Sequence, residues 1–207
     1  MKLAPEQLEE NNYVLLEKLE HTLFVQFIKT TFQKTTLYSV IYYLSILTAF
    51  CLLLTCCFYY YHTKALNIPM ELLYGFIGAI AVIAIIPIHE TIHLLVYKLT
   101  GAKNTSFDFN LRKFVFLAVA DKFVVNEREM KIVALAPFAF ITSTLMAIFF
   151  FTLPEIKIAI LSAIMVHSAL CSGDFALASY FNIHRDKEVV TYDDKENKVS
   201  YFFAKDK

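Results

Sequence analysis

The chain has 207 residues, of which 57% are hydrophobic and 18% charged, with mean hydropathy +0.53. That is far from the balance of a soluble domain, and the formal net charge of zero argues against nucleic-acid binding. The composition points to an integral membrane protein with the lipid bilayer as its first partner.

In chain order, Leu16, Leu19, Leu23, Phe27 and Ile28 recur at helical spacing before the first long apolar run. This predicts an amphipathic helix, either on the membrane surface or packed as an arm on the bundle. Four spans follow, each about the 20 residues needed to cross the hydrocarbon core. Leu37 to Tyr61 and Ile132 to Leu153 carry no Asp, Glu, Lys or Arg; Leu72 to Val96 carries only Glu90, and Ile158 to Phe181 only Asp174. The first span is too long and starts too late for a cleaved signal peptide. The expected domains are a cytoplasmic amphipathic segment over 1–36, a four-helix membrane domain over 37–181 and a cytoplasmic tail over 182–207. No internal repeat or low-complexity linker interrupts them.

Of the 19 Lys and Arg residues, 17 lie before the first span, between Tyr97 and Lys131, or after Phe181; only Lys64 and Lys157 remain. The positive-inside rule then places both termini and the central loop in the cytoplasm. Cys51, Cys56, Cys57 and Cys171 all fall within spans and read as packing residues.

The central loop, SFDFNLRKFVFLAVADKFVV, alternates Phe107, Phe109 and Leu111 with polar residues and then becomes β-branched and aromatic, which predicts two or three strands. Asn126 and Glu129 stand as an N-cap and its reciprocal partner, opening the third long helix. The tail EVVTYDDKENKVSYFF holds two β-like runs around a polar turn, predicting a hairpin. The expected fold is therefore an α-helical integral membrane protein of about four transmembrane helices, with a strand-like cytoplasmic loop and a short tail hairpin.

The second span contains HETIH. His89 and His93 are four apart, so on a helix both imidazoles project from one face and can bind one metal, while Glu90 can reach a water held on it. With 6 His in the chain, an HExxH arises by chance with a probability of about one in a hundred. Its place inside a span adds weight, because ionisable groups there cost several kcal/mol unless paired or in a polar cavity. The competing reading is a hydrogen-bonded polar cluster that holds helices together.

At 1.5 Å per residue, His89 lies about 26 Å down its span and Asp174 about 24 Å down the last one, a shared depth that makes Asp174 a candidate third ligand. His167 competes for the role; on a continuous helix it lies about 10 Å along the axis from Asp174, too far for one ion to take both. It lines the cavity or hydrogen-bonds in the core on this reading. Gly173 permits close helix approach or a local opening of the last helix. Pro87 frees the carbonyl of Ile83, and Pro137 that of Val133, either to open a water path or simply because prolines are common in membrane helices.

HETIH, the strand-like loop, LAPF in the third span and CSGDF in the fourth resemble, over roughly residues 70 to 181, a bacterial family of domains of unknown function described as zincin peptidases. The chain is more distantly similar to the site-2 proteases, intramembrane zinc enzymes. The resemblance implies a Zn²⁺ cofactor, His89, His93 and Asp174 as ligands, Glu90 as the catalytic base, and a membrane protein or peptide as substrate. Two departures stand out: Gly173 precedes Asp174, whereas the site-2 proteases place glycine after their aspartate, and no PDZ-like domain is present. The alternative function is a non-proteolytic accessory or immunity protein stabilised by the metal. A metal carrier would call for a relay of acidic groups across other spans, and only one cluster is visible. Substrate specificity and oligomeric state are not legible.

Overall fold

The computed structural model describes residues 2–110 and 115–207. In chain order its regular elements are β1 (Val14–Glu20), α1 (Phe24–Phe32), α2 (Leu37–His62), α3 (Ile68–Leu99), β2 (Thr105–Asn110), β3 (Val115–Ala120), β4 (Val125–Asn126), α4 (Glu127–Phe149), α5 (Pro154–Leu170), α6 (Ser172–Ile183), β5 (Lys187–Asp194) and β6 (Val199–Asp206). Residues 111–114, which include Leu111 of the alternating run, lie outside the described residues.

Helices α2, α3 and α4 are long and apolar enough to cross a membrane, and α5 with α6 makes a fourth if the pair counts as one span. Their surfaces are as apolar as their interiors: Tyr43, Leu47, Phe58, Phe76 and Ile83 are all exposed. Exposed apolar area on this scale marks a surface meant for something other than water. The fourth run departs from the single helix expected of it. It breaks after Leu170, and its two parts are bent by 46°. Counting turns from His167 to Asp174 as if on one rod therefore does not apply. Pro87 and Pro137 sit inside α3 and α4, and both helices continue through them.

The chain divides into two compact units. One comprises residues 1–39, 90–137 and 173–207. Its centre is an antiparallel sheet in the order β1-β6-β5-β4. The tail hairpin is present as expected, with Val189 opposite Ala204 and Thr191 opposite Phe202. The sheet is larger than the hairpin because β1 and β4 join its two sides. Strand β1 corrects the amphipathic-helix expectation: Leu16 and Leu19 belong to a strand, and only Phe27 and Ile28 lie on α1. Pairing with β6, around an irregularity between Leu15 and Glu17, satisfies this backbone where a helix would have needed a lipid or protein face along its whole length. Leu19, Phe27, Tyr180, Phe181 and Phe202 then close one buried core. The capping box is formed: the Glu129 amide donates to Asn126 Oδ1 at 3.0 Å, and the Asn126 amide to Glu129 Oε2 at 3.2 Å. The loop strands β2 and β3 pair as a separate two-stranded sheet, Phe107 opposite Ala118.

The other unit comprises residues 40–89 and 138–172. Here α3 and α5 touch backbone to backbone: a Cβ on Gly78 would lie 2.0 Å from the carbonyl oxygen of Ala159. The Ser162 hydroxyl donates to the Gly75 carbonyl at 2.7 Å, and the Tyr42 hydroxyl to the Ala169 carbonyl at 3.0 Å. Small residues and interhelical hydrogen bonds of this kind let helices approach closely.

Candidate metal centre

Helical spacing on α3 places His89, Glu90 and His93 so that one ligand atom of each falls within 4.8 Å of the others. What each touches differs. His93 is buried, and its Nδ1 donates to the carbonyl of Val133 at 2.9 Å. Val133 is four residues before Pro137, so its carbonyl is the one that proline deprives of a helical partner. The vacancy expected from the sequence is thus filled by a histidine. A ring nitrogen facing a carbonyl must carry the proton, so in the neutral imidazole Nε2 is the nitrogen that can ligate a metal.

That Nε2 lies 3.3 Å from Asp174 Oδ1. Asp174 is in the first turn of α6, where the break after Leu170 creates a helix start whose partial positive charge favours a carboxylate. A charge-assisted N–H···O bond is usually about 2.7–2.9 Å long. Two ligands bound tetrahedrally at the usual zinc distances of about 2.0–2.2 Å sit about 3.3–3.4 Å apart. The observed separation fits a shared cation, and the donor set, one neutral imidazole nitrogen and one carboxylate, is of the kind zinc takes. A Cβ on Gly173 would meet the Phe24 ring of α1 at 2.8 Å, so the close approach expected at this glycine is to α1.

Glu90 is also buried, and its Oε2 accepts the Ala118 amide of β3 at 2.8 Å. Because that amide turns to Glu90, the edge of β3 carrying Phe116, Ala118 and Ala120 backbone groups faces away from β2. Nothing in the loop's alternation foretold which amide would be involved.

His89 Nδ1 lies 3.1 Å from His167 Nε2, and the two rings meet edge to face. His167 Nε2 is in turn 3.8 Å from Cys171 Sγ. The structure therefore brings His93 to Asp174 and Glu90 to β3 in one unit, and His89 to His167 and Cys171 in the other. Cys171, expected to pack, is buried, and its thiol stands beside the ring of His167 four residues earlier.

The family described as "Putative zincin peptidase" matches residues 82–187, just over half of the chain and a range that contains His89, Glu90, His93, His167 and Asp174. No curated protein and no solved structure matches.

Proposed function

The chain belongs to the zincin peptidase family, and on that premise we propose that it is a membrane-embedded zinc metallopeptidase cutting membrane-associated protein or peptide substrates near the cytoplasmic leaflet. The observation that carries this is His93 Nε2 at 3.3 Å from Asp174 Oδ1 with Glu90 on the same helix. His93, Asp174 and His89, from the adjoining turn of α3, would hold the metal. Bound zinc supplies Lewis acidity, which acidifies water and polarises the scissile carbonyl.

The residues of the chain do the rest. The Val133 carbonyl fixes the tautomer and direction of the His93 ring. Glu90 Oε2 is aimed by the Ala118 amide, and the carboxylate takes a proton from the attacking water and returns it to the leaving amine. In lipid a substrate helix satisfies its own backbone, so it must unwind before cleavage. The outward edge of β3, whose amide already touches Glu90, is placed to add a substrate strand and keep it extended. Proline at Phe116, on that edge but away from the Glu90 contact, should impair cleavage with zinc retained; unchanged turnover removes strand addition from the mechanism. The membrane setting is supported by the three apolar helices, and a cytoplasmic side for both termini by the positive-inside rule applied to the basic residues around them.

The deciding experiment is zinc content of the detergent-purified protein beside His93→Ala, Asp174→Ala and Glu90→Gln. About one zinc per chain, lost in the first two and kept in the third, is the result expected of a mononuclear peptidase centre. A folded wild type without zinc would overturn the reading.

A further inference from the structure

We propose that the cavity between β1 and the C-terminal ends of α1 and α6 binds an aminoalkyl phosphate, the headgroup chemistry of phosphatidylethanolamine. Its volume is about 230 Å³, and every lining residue belongs to one unit of the chain. That is smaller than the roughly 300–1,000 Å³ of a pocket for a drug-sized ligand, and a small polar headgroup suits it. Its charges are of both signs. Glu17 lines it from β1, Lys34 from just beyond α1 and His184 from just beyond α6. Among the described residues neither Glu17 nor Lys34 is taken up in an ion pair. An occupant that carries one ammonium and one phosphate satisfies both.

The buried end suits the ammonium. Tyr180, 5% exposed, lines the cavity; among the described residues its hydroxyl is hidden from solvent and completes no hydrogen bond, and Glu17 is the charged group facing it. A primary ammonium has three N–H donors, enough for the carboxylate, the phenol oxygen and a water. The last turns of α1 and α6 both line the cavity, and the negative ends of helices favour a cation. The rim suits the phosphate. Lys34 is exposed, and His184 Nδ1 donates to the Tyr180 carbonyl at 3.0 Å, which leaves Nε2, when protonated, for a phosphate oxygen. In phosphatidylethanolamine the ammonium is the tip and the phosphate stands between it and the acyl chains, the same order as the charges here from the buried end outward. Lys34 is three residues before α2, and the hydroxyls of Thr36 and Ser179 hydrogen-bond at 2.8 Å, tying that segment to α6. The cavity thus sits where the chain enters its first long apolar helix, the level of lipid headgroups in a bilayer. This placement rests on the membrane setting proposed above and not on the peptidase reading.

Native mass spectrometry of the delipidated full chain in detergent tests it, with phosphatidylethanolamine, phosphatidylcholine and phosphatidylglycerol added in turn to wild type, Glu17→Gln, Lys34→Met and Tyr180→Phe. Phosphatidylcholine keeps both charges but has no N–H, and phosphatidylglycerol lacks the cation. Wild type should retain phosphatidylethanolamine about tenfold more tightly than either, and Glu17→Gln and Lys34→Met should each lose about tenfold, the cost of one hydrogen bond to a charged group. Tyr180→Phe, which keeps the ring packing, should show a smaller loss. Equal retention of phosphatidylethanolamine and phosphatidylcholine by wild type, or Glu17→Gln and Lys34→Met proteins that match wild type, overturns the proposal. The wild-type comparison decides it even if a variant does not fold. Soluble O-phosphoethanolamine separates the two sources of this chemistry. If it raises the melting temperature of wild type but not of Glu17→Gln, while no phosphatidylethanolamine is retained, the site belongs to the free compound and its placement at the headgroups is overturned. Zinc content of the same samples should not move, so failure here and failure of the peptidase reading are read apart.

Discussion

Replacing Pro137 with alanine should move stability and metal affinity in opposite directions. Alanine restores an amide at position 137, which can donate to the Val133 carbonyl four residues earlier and complete the α4 ladder. In a helix interior the exchange favours alanine by up to about 3 kcal/mol, less where neighbours have already re-satisfied the freed carbonyl, as His93 does here at 2.9 Å. The same amide competes with His93 Nδ1 for that oxygen. Losing a partner of this kind behind a metal-binding histidine costs about 10–100-fold in affinity, or about 1.4–2.7 kcal/mol. Zinc competition against a chromophoric chelator, run with thermal unfolding of the metal-free protein in detergent, reads both quantities. A Pro137→Ala protein that is no less stable yet binds zinc at least tenfold more weakly is the expected outcome. Affinity within twofold of wild type would refute the claim that the proline exists to offer its freed carbonyl to His93.

Glu90→Gln keeps an acceptor for the Ala118 amide, so it should lower stability by only about 1 kcal/mol, against about 3 for Glu90→Ala, while both lose about 10²–10⁴-fold in turnover. Equal turnover of Glu90→Gln and wild type would make Glu90 a tie between α3 and β3 and favour the accessory-protein alternative. Gly78→Ala should destabilise the bundle by about 1–3 kcal/mol, because its Cβ would stand 2.0 Å from the Ala159 oxygen; Gly75→Ala, with its nearest neighbour at 4.0 Å, should be tolerated. Comparable melting temperatures for the two would contradict the close crossing. Burial of Asp193 raises its carboxyl above the ordinary value of 3.8, with Ser200 and His21 opposing the shift. The folded state then binds more protons than the unfolded one between those two values, so this residue costs stability as pH rises through that window. Asp193→Asn should flatten that loss in melts taken from pH 4 upward, and an unchanged profile would show that the group is better solvated than its setting implies.

Much of the helical framework could be read from residue order, because the length of an apolar run and the absence of charge are properties of the chain alone. The i, i+4 relation of His89 to His93, the Asn126–Glu129 capping box and the tail hairpin are equally local, and each is found where the pattern places it. Periodicity misled between Leu16 and Ile28, where a few leucines fit a helix and a strand alike and the choice fell to β6, which lies far along the chain. The break after Leu170, the Ala118 amide on Glu90, the Val133 carbonyl on His93 and the imidazole of His167 against His89 are likewise long-range pairings. Residue types advertised that polar groups in apolar helices needed partners. Which atoms met depends on how distant segments pack, because a hydrogen bond is set by distance and direction that no spacing along the chain encodes.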